Sequence, residues 1–188
     1  MQNQSDRGNE PRVLSQSTEF ATPWFEVVSK QVANYEGAEV QPYYVIHPPD
    51  YVTILAKTAD GKVPLVRQFR PALEAYALEL PSGHVDKGED PSEAAARELL
   101  EETGYGGGEV NILGQLAPDT GRLGNRLWGF YAAGVEVDPQ WRGKTEPGIE
   151  VVMRPANQVS EMVASGELMH SHDLAVIAVA ITKHLLCV

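Results

Sequence analysis

Glu98, Glu101 and Glu102 stand three and four residues apart in the run "RELLEETG". On a helix those spacings share a face, and like charges so placed repel by about 0.2–0.5 kcal/mol per pair. Gly104 follows at once, so the three carboxylates crowd the last turn. There the helix dipole is negative, and each exposed acid costs roughly another 0.3–1 kcal/mol. A sequence tuned only for stability would carry Lys or Arg in this turn, and broken local rules tend to mark functional sites. A multivalent cation removes the conflict, because hard carboxylate oxygens converging on a small volume suit Mg²⁺ or Mn²⁺. Without an ion, mutual repulsion raises the carboxyl pKa values. The competing reading is a solvated acidic face, the usual fate of a charge run.

The helix carrying these residues is predicted over 91–103. Asp90 suits the N-cap, Pro91 the first helical position and Glu93 the third. Glu93 lies four residues before Arg97, the favourable order for an ion pair, and Arg97 can also offset part of the charge on Glu101. Ala95 and Leu99 share a face, with Ala96 and Leu100 beside it, which suits packing on a sheet. Gly104 is a helix stop.

Strand-like runs surround this helix. Residues 24–33, 43–47, 51–57, 63–69, 76–81, 109–117, 126–137 and 149–155 are rich in β-branched and aromatic residues or alternate in polarity. Asp60-Gly61 reads as a hairpin turn between two of them. Helical patterns cover 156–165 and 172–186. Strands outnumber helices without a regular alternation, which indicates a mixed sheet with helices packed on it. The glycine loop at 104–109 follows a helix, so it reads as a stop and not as a phosphate cradle.

Length and charge narrow the partners. A chain of 188 residues suffices for one domain with a real core. A net charge of −11 argues against nucleic acid and against an anionic membrane surface. Cys187 is the single cysteine, so no intrachain disulfide forms, and a reducing compartment fits. No apolar stretch is long enough to span a bilayer. Residues 1–19 are expected to be a flexible polar tail without a secretory signal, and 20–188 a single domain in the cytoplasm.

The stretch from Gly83 to Tyr105, "GHVDKGEDPSEAAARELLEETGY", resembles the Nudix box. Gly83, Glu89 and the run from Arg97 to Gly104 occupy its fixed positions, with Tyr105 where an aliphatic residue is usual. The resemblance implies an α/β fold, the Nudix α/β/α sandwich around a mixed β-sheet, over nearly the whole chain after the tail. It implies that Glu98, Glu101 and Glu102 bind metal, with the carbonyl of Ser82 as a further ligand. Arg97 and Glu89 would hold loop and helix together. Family chemistry is hydrolysis of a nucleoside diphosphate linked to another group, with Mg²⁺ or Mn²⁺ neutralising the pyrophosphate and activating water.

The run "LVRQFRPALEAYALELPSG" resembles the ADP-ribose and nucleotide-sugar pyrophosphatase branch. Arg70 is the expected phosphate ligand. Arg67, three residues away, should point to the other face. Glu79 is a candidate for contacting substrate or metal-bound water, or else a paired buried carboxylate. Arg122, Asn125 and Arg126 are candidates for reaching a phosphate or sugar. Pro118 precedes Asp119, where many ADP-ribose hydrolases carry a later Pro-Gly, which leaves other nucleotide sugars open. Of the candidate general bases Glu146 and Glu150, Glu146 is preferred, in a loop able to close over the site. Trp24 and Phe25 resemble an aromatic pair on which a base stacks, with core or dimer packing as the other reading. The N-terminal strands, about 20–60, suggest a homodimer. His170 and His172 read as cap or surface residues, since neither stands at zinc-ligand spacing.

The expected protein is therefore a Mg²⁺-dependent hydrolase of nucleoside diphosphate sugars, yielding a nucleoside monophosphate and a sugar phosphate. The alternatives are another nucleoside diphosphate derivative as substrate (a dinucleotide, an oxidised nucleotide or an RNA 5′ end), or a non-catalytic nucleotide-sugar sensor.

Overall fold

The computed structural model describes residues 10–33 and 40–186. The chain divides into two compact units, one of residues up to 49 with 117–125, the other of 50–116 with 126–188.

The first unit is an antiparallel sheet of β1 (Arg12–Ala21), β2 (Glu26–Ala33) and β3 (Gln41–His47), in that order. Residues 12–19, expected in a flexible tail, are instead most of a strand, with Arg12 opposite Ala33 and Ala21 opposite Glu26. Every side chain of β1 is exposed, so no polarity pattern announced it. Its order comes from backbone pairing with β2, joined by a Phe20–Phe25 ring contact at the turn (6.1 Å). Residues 117–125 are tied to β3, the Ile46 N–H donating to the Arg122 carbonyl (2.8 Å) and the Gly124 N–H to the Ile46 carbonyl (2.9 Å).

The second unit holds the acidic helix. Its strands are β4 (Tyr51–Thr58), β5 (Lys62–Arg70), β6 (Ala75–Glu79) and β7 (Ser82–His84). Then come α1 (Pro91–Thr103), β8 (Tyr105–Gly106), β9 (Glu109–Leu116), β10 (Leu127–Val137) and β11 (Glu150–Pro155). A 3-10 turn (Ala156–Gln158), α2 (Val159–Ser165) and α3 (Ser171–Thr182) complete it. In one sheet β4 lies parallel to β10 and antiparallel to β7, while β10 also pairs with β8 and β9. A second, antiparallel sheet runs β11-β5-β6.

Asp60-Gly61 does make a turn, with Gly61 at φ +80° and its N–H on the Thr58 carbonyl. It is not a hairpin, because β4 and β5 belong to different sheets. Turn chemistry records the reversal of the chain, not the strand that receives the next one.

The sheet of β4 and β10 is mixed, as expected, and buried on both faces. Val52, Ile54 and Ala56 of β4, with Phe130 and Ala132 of β10, pack against Ala94, Ala95 and Leu99 of α1. Leu55 and Tyr131 point the other way, into a core with Leu65, Leu78, Leu80, Met162, Val176 and Ile177. Strict alternation along β4 thus feeds two cores, which is why its sequence is nearly all apolar.

The ends of α1 fall where predicted. The Asp90 carboxylate accepts the Ser92 N–H (2.8 Å), and Gly104 adopts φ +74° with its N–H on the Leu100 carbonyl (2.8 Å). The last helix ends at Thr182, earlier than the expected 186, and Cys187 lies outside the described residues.

Leu99, fully buried between α1 and the sheet, anchors the helix that carries the carboxylates. Leu99→Ala is expected to lower stability by about 2–5 kcal/mol in urea denaturation. A loss below about 1 kcal/mol would show that this contact does not fix the helix.

Candidate active site

Arg97 organises the carboxylates. Its Nε and Nη2 donate to the two oxygens of Glu89 (2.9 and 3.0 Å), and Nη1 donates to Glu98 (2.7 Å) and Glu101 (3.2 Å). Nη2 also reaches the His84 carbonyl (3.1 Å). One guanidinium thereby ties the 84–89 loop to the helix and spreads its charge over three acids. The Arg97 bridge holds the Glu89 carboxyl down at about 2. Arg97 turns to these groups and not to Glu93, the partner its spacing suggested.

Glu98 and Glu102 are buried, whereas Glu101 is 46% exposed and faces Arg97. Glu98 lies over Gly83 so closely that a Cβ there would fall 2.1–2.4 Å from its carboxylate atoms. A side chain at that position would have to displace the Glu98 carboxylate. Glu102 accepts the backbone N–H of Ser82 (2.9 Å). Burial pushes the Glu98 carboxyl up against the pull of Arg97, and Glu101 and Glu146 push the same way. Burial pushes Glu102 up to about 8. The Ser82 N–H opposes the shift, and the Glu98 and Glu146 charges add to it.

Among the described residues, no group of three or more His, Cys, Asp or Glu side chains converges as a preformed metal shell. The donors nevertheless fit a hard divalent cation. Two carboxylates are held out of water, beside a half-exposed third bonded to Arg97, where their charge is disfavoured without a counter-ion. Ser82, whose carbonyl was the further candidate ligand, is fixed between Glu102 and β4, opposite Thr53.

The two base candidates separate. Glu150 bonds Arg67 (3.0 Å). Glu146 is exposed, and its charge acts on both Glu98 and Glu102.

Arg70 and Glu79 depart from the expectation of free substrate ligands. The Arg70 Nε donates to both Glu79 oxygens (3.0 Å each), Nη2 bonds the same carboxylate, and Glu79 is 3% exposed. The β5–β6 register puts Arg70 and Gln68 on the same face as Glu79. Glu79 is thus the paired buried carboxylate, and its pair limits Arg70 to whatever donors the fork leaves over. Arg67, on the opposite face, stacks over Tyr76 (4.2 Å).

Trp24 is 70% exposed in the first unit, where Arg122 lies over the Tyr43 ring (5.5 Å) and reaches the Tyr44 carbonyl (3.5 Å). Asn125 is buried and donates to the Pro49 carbonyl (2.9 Å). In the second unit the Arg126 N–H donates to Asp50 (2.8 Å).

His170 stands at the N-cap position of α3, within the cap-or-surface expectation, though its side chain does not cap the helix. The Asp173 carboxylate, with no exposure at all, meets the Leu80 N–H (3.0 Å) and His170 Nδ1 (3.1 Å). The His172 ring packs against Tyr51 at a tilt of 55° (centroids 5.6 Å apart). Sequence reading missed Asp173, whose only signal was an acid in the first turn of an otherwise apolar helix.

The NUDIX domain family profile matches residues 47–172, and the chain belongs to that family. It is 48% identical to the ADP-ribose pyrophosphatase of Bacillus subtilis over 61 residues, 32% of this chain and 33% of that one. It is 32% identical to the GDP-mannose pyrophosphatase of Escherichia coli over 146 residues, 71% of this chain and 74% of that one. The chain spans between 25% and 52% of three other curated relatives. A crystal structure of an ADP compounds hydrolase superposes with a TM-score of 0.78 at 20% identity, covering 93% of this chain and 94% of the other, which shows a shared fold.

The buried carboxyls set a pH dependence. A carboxyl raised in the fold binds its proton more tightly there than in the unfolded chain, where the pKa is about 4.3. Its contribution is fully present below the unfolded value and is lost as pH rises through the folded one. Without divalent ions, stability should therefore fall between about pH 5 and pH 9, and Glu102→Gln should flatten that fall. Urea melts across this range check it. Identical slopes for the two proteins would contradict the burial of Glu102.

Proposed function

We propose that the protein is a divalent-cation-dependent pyrophosphohydrolase of nucleoside diphosphate sugars, releasing a nucleoside monophosphate and a sugar phosphate. The observation that carries this reading is the pair of buried carboxylates, Glu98 over Gly83 and Glu102 on the Ser82 N–H, beside the exposed Glu101. Names of relatives supply the substrate class, since they act on ADP-ribose and GDP-mannose.

In this proposal Glu98, Glu101, Glu102 and the Ser82 carbonyl hold Mg²⁺, with Mn²⁺ able to replace it. The bound cation would neutralise the pyrophosphate and lower the pKa of water. Arg97 keeps Glu98 and Glu101 in place, and Glu101, half exposed, would be the ligand shared between Arg97 and the cation. Glu146 accepts a proton from the attacking water. The water oxygen bonds one phosphorus, and the bridging oxygen leaves with the other. Arg126, with what Arg70 has free, is assigned to phosphate or sugar. On the first unit, Trp24 and Arg122 have the chemistry to meet a base and a phosphate.

The reading extends to a homodimer joined through the first unit. Its sheet exposes Val13, Leu14, Phe20, Tyr43, Tyr44 and Ile46, more apolar surface than a solvated sheet needs. A cytoplasmic location, where Mg²⁺ and nucleotide sugars are at hand, belongs to the same proposal. No helix among the described residues is long and apolar enough to cross a membrane.

The test is Mg²⁺-dependent hydrolysis of ADP-ribose, ADP-glucose, GDP-mannose, UDP-glucose and a nucleoside triphosphate, with products separated by chromatography. Monophosphate and sugar phosphate should appear, and Glu102→Gln should lower the rate at least about 100-fold. Binding of a nucleotide sugar without cleavage would reject the enzyme in favour of a sensor.

A further inference from the structure

The loop carrying Glu146 has few attachments of its own. Residues 142–144 and 146–148 are exposed. On its far side the Thr145 hydroxyl donates to the Ile149 carbonyl (3.0 Å) and the Ile149 N–H to the Glu146 carbonyl (3.1 Å), closing a turn just before β11. On its near side the attachment is Trp141. A Cβ on Gly104 would lie 2.4 Å from Cδ2 and Cε2 of the Trp141 indole. The ring therefore rests directly on the backbone at the end of α1. The Asp138 N–H donates to the Gly104 carbonyl (2.9 Å), and the Trp141 N–H to the Asp138 carbonyl (3.0 Å). The indole Nε1 is buried and makes no hydrogen bond, so the ring is held by its faces and not by its polar edge. A cavity of about 350 Å³ beside it is walled by Leu100, Glu101, Asp138, Trp141, Arg142 and Lys144.

From this geometry we propose that Trp141 is a positioning residue: seated on Gly104, it fixes the loop of Glu146 to the turn of α1 that carries Glu101 and Glu102. Gly104 is then required twice, for its left-handed φ of +74° and for the indole lying against it. The base is referenced to the last turn of the helix, so its placement follows the carboxylates and not the loop. The inference rests on the proposed hydrolysis and on Glu146 as its base.

The test compares wild type, Trp141→Ala, Trp141→Phe, Glu146→Gln and the double variant Trp141→Ala/Glu146→Gln. Three readouts are kcat and KM across pH, Mn²⁺ affinity, and amide exchange of residues 139–149. Trp141→Ala should lower kcat about 10–100-fold, as expected for a displaced catalytic group, with KM little changed. Its loop should exchange faster, and Mn²⁺ affinity should stay within about twofold, because Glu98 and Glu102 are held by Arg97 and the Ser82 N–H and not by the indole. Trp141→Phe, which keeps an apolar ring, should recover most of the rate. The double variant should be no slower than Glu146→Gln alone, since both changes remove one function. An active wild type whose Trp141→Ala variant keeps its kcat, keeps its exchange pattern, or multiplies the defect of Glu146→Gln overturns the clamp alone. A wild type silent on every substrate overturns the functional reading, and the base assignment with it.

Discussion

The site depends on one difficult arrangement: carboxylates of like charge held together out of water at the negative end of a helix. Arg97 makes it tolerable. Its guanidinium touches Glu89, Glu98, Glu101 and the His84 carbonyl, so a single positive charge stabilises helix and loop together. The offset is incomplete, because burial still raises Glu98 and Glu102. The remaining charge is what a divalent cation would take up. A bidentate fork suits this work better than an ammonium, since Lys cannot hold four acceptors in fixed directions.

Around this centre the fold supplies rigid references. The Ile54 N–H donates to the Pro81 carbonyl (3.0 Å), and the Val85 N–H to the Asp50 carbonyl (2.9 Å). Asp173 reaches from α3 to the Leu80 N–H. The segment from Leu80 to Val85, which holds Ser82 and Gly83, is thus pinned from β4 on one side and from α3 on the other. Arg70 forms an ion pair with the buried Glu79, just before this segment. Such pairs are weak sources of stability but strict about geometry, and losing one partner leaves a buried charge.

Much of this was legible in the sequence because its causes are local. Asp90, Pro91 and Gly104 fixed the limits of α1, and the spacing of Glu98, Glu101 and Glu102 exposed the conflict. What stayed hidden depends on pairing between distant segments. Strand β1 buries no side chain, so no alternation marked it. The Arg70–Glu79 pair follows from the β5–β6 register, which sequence spacing alone does not reveal. Asp173 and Leu80, and likewise Trp141 and Gly104, meet only once the chain has folded.

We propose that Gly83, by leaving room for the Glu98 carboxylate, lets that residue complete a divalent-cation site. The most direct measurement is Mn²⁺ binding by electron paramagnetic resonance, for wild type and Gly83→Ala. That variant keeps every carboxylate and displaces one. Wild type should bind Mn²⁺, with Mg²⁺ competing, and Gly83→Ala should bind at least about tenfold more weakly while remaining folded by circular dichroism. Equal binding by the two proteins, or none by the wild type, would contradict the account.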